Sequence, residues 1–333
     1  MPGFLCLRLL TLSLVSRLGS GRLCAFLSQG TATLMIGELA ALTVALCWAI
    51  AARMFRVLGT SFSPLSLNLW KGVVAIVLLV AVTQIWLPPV SLPASAYGWL
   101  LLSGIIGIGI GDTCFFQALN RIGDTQSVLI TETLAPIFTA LLAMVWIAEW
   151  LTWQQWIGIA VVLFSVDMVV KVRRRTELHL LAPSGYIFAA VAAVCQAVGA
   201  VVSRDILTAY PALDAFNASL VRLTGGLVII VILMLVLRKR WLPVSEEPVK
   251  MWRTFALATI LGTAAALYLQ MVAFANAQAG VVQTLIATSA VMSLAVAWVA
   301  GERTNRATLL WSLGALAGVT ILVAAGRMSG AGH

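Results

Sequence analysis

The chain has 333 residues, 61% apolar and only 10% charged, with a formal net charge of +9 and a mean hydropathy of +1.02. Soluble domains run near half apolar and about a quarter charged, so a water-soluble enzyme, a disordered chain and a disulfide scaffold are excluded, leaving a polytopic membrane protein. The basic residues lie in short clusters between apolar runs, which suits anionic headgroups and the positive-inside rule rather than nucleic acid.

In chain order, residues 1–34 come first, with Arg8, Arg17 and Arg22, no acid, and several Ser and Leu residues. Three readings stand for this extension: a targeting segment, an interfacial amphipathic helix, or a stretch ahead of a true start at Met35. Ten runs then approach the ~20 apolar residues that a helix needs to cross a bilayer: 37–57, 65–86, 97–118, 125–147, 153–171, 184–204, 214–237, 253–275, 280–299 and 307–326. They are too long for barrel strands of roughly ten residues and lack the required alternation. The expected class is therefore an all-α integral membrane protein. Pro88-Pro89 and Pro93 punctuate the second connection, Gly123-Asp124 the third, and two longer basic connections run from Lys171 to Arg175 and from Arg238 to Arg253. None could hold an extramembrane catalytic domain, so no enzyme is expected. Cys6, Cys24, Cys47, Cys114 and Cys195 show no paired spacing, and His179 and His333 lie outside the spans. No metal site, disulfide or cofactor is expected.

The halves repeat. At an offset of 148, Gly37, Ala41, Cys47 and Arg56 fall on Gly185, Ala189, Cys195 and Arg204. At 151, Lys71 falls on Arg222; at 153, Trp99, Gly109, Gln117, Thr131 and Glu149 fall on Trp252, Gly262, Gln270, Thr284 and Glu302. Residues 35–171 and 184–326 thus form two five-span units. An odd number of crossings makes the second unit enter from the opposite side, which is the inverted-repeat plan of secondary transporters.

The pattern resembles the EamA-type transporters of the drug/metabolite transporter superfamily. The resemblance rests on Gly111-Asp112 through Phe115-Phe116-Gln117-Ala118-Leu119, Pro136 and Glu149, and in the second half on Tyr268-Leu269-Gln270 through Ala273 and Gly301-Glu302-Arg303. Ser289 replaces the repeat of Pro136, and Trp311 stands where a glycine is usual. The resemblance implies a ten-helix carrier moving small metabolites or amphipathic compounds, proton-coupled or facilitated, in a bacterial inner membrane.

Ionisable side chains inside a span are costly and mark pathways. Lys71, Asp112 and Glu132 lie inside spans of the first half, and Arg222 is the counterpart of Lys71. A carboxyl group in low dielectric without a cation favours its neutral form, as a proton carrier requires. Glu132 is the leading proton carrier and Asp112 the second, unless Lys71 pairs permanently with one of them. Thr131, Glu132, Thr133 and Pro136 form a proline-interrupted polar start to the fourth span, where Pro136 frees the Glu132 carbonyl. Gln283, Thr284, Gln117 and Gln270 offer neutral hydrogen bonds to a substrate, or between helices. Trp48 and Tyr268 are candidate apolar lining, and Trp70, Trp86, Trp99, Trp150, Trp153, Trp156 and Trp241, near span ends, read as an interfacial belt. Glu149 and Glu302, at span ends, read as solvated or helix-capping. The expected partners are the lipid bilayer, a small-molecule substrate and protons, with the chain a monomer or homodimer.

Connections after odd-numbered spans carry Arg53, Arg56, Arg121, Lys171, Arg173, Arg174, Arg175, Arg238, Lys239, Arg240, Lys250, Arg253, Arg303 and Arg306; the others, with the C-terminal tail, carry Arg204 and Arg327. By the positive-inside rule the odd connections are cytoplasmic and both termini outside. The family resemblance implies both termini inside, and the two readings stand side by side.

Overall fold

The computed structural model describes residues 20–86, 92–173, 183–299 and 306–330; for 20–34, 119–120, 123–126 and several other positions it describes the backbone alone. The N-terminal extension up to residue 19, Pro88-Pro89, Glu302 and the side chain of Arg56 lie outside the described residues.

Runs of Ala, Leu, Val and Ile satisfy their backbone internally as helices, because lipid offers no hydrogen-bond partners. Among the described residues, ten helices are long and apolar enough to cross a membrane: Met35–Phe55, Pro64–Ile85, Ala94–Ala118, Ser127–Trp146, Trp153–Lys171, Ser184–Ala209, Ala215–Val236, Pro248–Asn276, Ala279–Val296 and Leu309–Gly326. No strand occurs among the described residues. We call them the first to tenth spans. The connections after odd-numbered spans define the odd face, and the others, with Met35 and Gly326, the even face.

The second and seventh spans run antiparallel around the centre. Leu65 and Leu69 pack on Ile230 and Met234, Gly72 faces Leu227, and Ala75 and Ile76 share a cluster with Leu223. Exchanging the repeats maps Gly72 and Leu227, which face each other, onto Leu223 and Ile76, which share one packed cluster. The same cluster brings in Ile108 of the third span and Ala264 and Leu267 of the eighth.

The third span runs antiparallel to the sixth, with Ser103 beside Ser203, Gly107 beside Gly199 and Ile122 against Gly185. The fourth runs parallel to it, from Thr131 beside Ala189 to Trp146 beside Asp205. The backbone is assigned helical from Asp112 to Trp146, and its direction relative to the sixth span changes between Ile122, beside Gly185, and Thr131, beside Ala189. The third span contains a π-helical stretch, Ile105–Gly111, and the eighth another, Ile260–Ala265, at nearly repeat-equivalent positions. Such bulges concentrate at functional sites.

The expected proline interruption is corrected. Pro136 is accommodated inside the helix, whereas the ninth span breaks between Ala279–Ala287 and Ser289–Val299. There Thr288 donates its hydroxyl to the Leu285 carbonyl at 2.6 Å, and its amide bonds the same carbonyl at 3.2 Å. A hydroxyl competing for the helical acceptor tightens and interrupts the ladder without a proline.

The fifth and tenth spans pair along their length: Gly158 against Leu322, Gly314 against Ser165, Gly318 against Val162, and Phe164 edge-on to Trp311 at 5.4 Å. Trp70 is more than belt. Its indole donates to the Trp241 carbonyl at 2.8 Å, and its ring packs edge-on to Trp252 at 6.1 Å.

Candidate functional site

Lys71 lies seven residues into the second span and Asp112 six before the end of the third, about 10 Å from the odd face at the helical rise of ~1.5 Å per residue. They meet: Lys71 Nζ lies 3.3 Å from Asp112 Oδ2, with side chains 18% and 26% exposed. The ammonium also lies 6.0 Å from the Phe55 ring and 6.0 Å from the Phe116 ring, at the outer limit of a cation–π contact. Phe116 and Gln117, with Ser63, Pro64, Leu65, Thr113 and Lys239, line a cleft of about 120 Å³ at the odd face.

Arg222 enters the seventh span at a similar depth from the even face, as its relation to Lys71 requires. It is 5% exposed. A Cβ at Gly107 or Gly199 would stand 3.1 or 3.0 Å from its Nη2, so the two glycines shape the niche that holds the guanidinium. Nε and Nη1 have no hydrogen-bond partner.

Glu132, half-buried on the fourth span, makes no hydrogen bond or ion pair with a described residue. The neighbouring Thr133 hydroxyl is buried without a partner, while Thr131 donates to the Ala189 carbonyl at 3.5 Å. On the ninth span the Gln283 carbonyl oxygen is buried and unpartnered, and Thr284 donates to the Gly280 carbonyl at 2.7 Å. Tyr268 stacks on Phe216 at 4.0 Å. Trp48 packs against the main core and Gln270 is buried. Lys71, Asp112 and Arg222 are thus gathered around the second, third and seventh spans, and Glu132 stands apart from them.

A further polar cluster sits at the even face, where the sequence reading placed Arg204 as a connection charge and Glu149 as a span-end residue without joining them. Arg204 donates from Nε to Glu149 Oε1 at 2.6 Å, the side chains being 15% and 14% exposed. Its Nη1 donates to the carbonyls of Phe274 at 2.6 Å and Ala275 at 3.0 Å. Glu149 Oε2 accepts from the Ala279 amide at 2.9 Å, capping the ninth span rather than the fifth. Gln155 donates to the Gln278 side chain at 2.7 Å beside it. The fourth, sixth, eighth and ninth spans are tied together here. The signal for this clamp was in the repeat, where Arg56 with Arg204 and Glu302 with Glu149 are equivalent. Asn68, 1% exposed with both amide atoms unpartnered, carried no such signal.

The sequence profile of the EamA-like transporter family matches residues 35–171 and 183–324. A solved crystal structure of a protein superposes with a TM-score of 0.72 at 17% identity, over 86% of this chain and 97% of the other. It shows the fold alone. No curated protein sequence matches the chain.

Proposed function

Since the chain belongs to the EamA-like transporter family, a multi-pass membrane transporter of small molecules, we propose that it works by alternating access and exports its substrate in exchange for protons across a bacterial inner membrane. The carrying observation is that equivalent residues of the two repeats have unequal surroundings. Gln117 lines the odd-face cleft while Gln270 is buried, and the even face is closed by Arg204 and Glu149. An inverted repeat holds two near-equivalent packings, and exchanging them moves the opening to the other face. The even-face clamp then has to open, with Arg56 and Glu302 as its counterparts on the odd face.

Glu132 is the proton carrier in this reading, because an unpaired carboxyl inside a span can gain and lose a proton without breaking an ion pair. Glu132→Gln in liposomes is expected to abolish flux driven by a pH gradient while preserving substrate counterflow. Equal pH-driven flux in the wild type and the variant would overturn the coupling. An uncoupled uniporter or exchanger is the second reading; it is favoured by Asp112, the other candidate carrier, being held by Lys71.

A further inference from the structure

Buried polar groups without partners are uncommon in native interiors, and each costs about 1–3 kcal/mol. Among the described residues, four of the six with such atoms lie on three neighbouring spans: Asn68 of the second, Arg222 of the seventh, and Thr259 and Thr263 of the eighth. These spans share one packed cluster through Ala75, Leu223 and Ala264. Asn68 lies one turn before Lys71 on the same helical face.

Charge gives the chemistry of the missing partner. Two described cations, Lys71 and Arg222, and one described anion, Asp112, lie well inside these spans and the third, and the Asp112 carboxylate is engaged by Lys71. The Arg222 guanidinium lies beside Gly107 and Gly199, and its Nε and Nη1 have no hydrogen-bond partner among the described residues. A lone guanidinium away from water is strongly unfavourable until an anion meets it, and its planar fork fits a carboxylate through two parallel N–H···O bonds. The surplus is a single positive charge, which a monoanion balances and a phosphate dianion overshoots. Glu132 makes no ion pair with the cluster and does not supply that anion.

We infer that the transported molecule is a monocarboxylate, its carboxylate taken by the Arg222 guanidinium in the niche bounded by Gly107 and Gly199, with the threonines of the eighth span hydrogen-bonding its polar remainder. The inference rests on the transporter reading for its physiological meaning, but binding tests it independently of flux. Asp112 competes with the substrate for positive charge, so removing its charge tightens carboxylate binding, an outcome that a merely structural role for the cluster does not produce.

The experiment uses the full chain in detergent and in liposomes, with matched probes: phenylacetate against phenylacetamide, and tetraphenylphosphonium. Binding is read by thermal shift and tryptophan fluorescence, and transport by counterflow. In the wild type, phenylacetate is expected to bind and exchange while its amide and tetraphenylphosphonium do not. Arg222→Gln is expected to weaken that binding at least tenfold, Arg222→Lys to recover part of it, and Asp112→Asn to strengthen it several-fold. If Arg222→Gln melts within the wild-type transition but misfolds in part, the Asp112→Asn result, where the arginine is intact, still decides. Amides or the cation binding as tightly as the carboxylates overturns the inference, as does carboxylate affinity unchanged in Arg222→Gln and Asp112→Asn, or no carboxylate binding at all. Carboxylate binding without counterflow sustains the site and sinks the transporter reading. Counterflow of an amide or cation alone does the reverse.

Discussion

Glu149→Ala is expected to destabilise the protein by about 3 kcal/mol, the lower end of the cost of removing one partner from a buried ion pair. Arg204 would lose its anion while held among the spans, keeping only the carbonyls of Phe274 and Ala275. Those carbonyls close the eighth span, so they offer the negative end of a helix dipole but no full charge. The ninth span would also lose the carboxylate that accepts from the Ala279 amide, a cap worth about 1 kcal/mol on its own. Thermal unfolding in detergent measures the total, and hydrogen exchange at Ala279 isolates the cap. Arg204→Ala should cost a similar amount, with the double variant falling well short of the sum because both changes remove one interaction. A loss below 0.5 kcal/mol, about that of an exposed pair, would mean that the even face is open to water and that no clamp exists.

The second large effect lies where the third and seventh spans interlock. A Cβ on Gly104 would run into the carbonyl of Arg222, and one on Gly225 into the carbonyl of Leu101. Both obstacles are backbone, so neither side can yield by changing a rotamer. Close approach through small residues is how membrane helices gain contact, since lipid gives apolar side chains no reason to leave it. Gly104→Ala is therefore expected to cost about 2–3 kcal/mol, in the upper range for overpacking a core, and to displace the Arg222 niche. Gly98→Ala serves as the control, because nothing stands within 4 Å of a Cβ there. Equal melting temperatures for the two variants would sink the argument. The same displacement should weaken any ligand of Arg222, linking this packing contact to binding.

Lys71 shows how far the sequence reaches. Its burden as a charge within an apolar run was legible from spacing, and its relation to Arg222 from the repeat. Pairing with Asp112 was one of the open alternatives, because the two are 41 positions apart and only the crossing of the second and third spans sets their distance. Arg204 illustrates the limit. Counted among connection charges, it turns inward because the ends of the sixth and eighth spans and the start of the ninth converge on it. Pro136 shows a local rule outweighed by context: the helix continues through the proline, and the break falls at Thr288, where a hydroxyl takes over a carbonyl.

The sequence by itself determined the class, the ten spans and the doubled five-span plan. Each follows from local quantities, the apolar length that lipid demands and the recurrence of residue types at a nearly constant offset. Tertiary structure alone decided which charges pair and which polar atoms of the described residues stay unpartnered. Those outcomes depend on how closely glycine-bearing helices approach and on where residues far apart in the chain come to rest, and in a nearly uniform apolar sequence periodicity does not encode either.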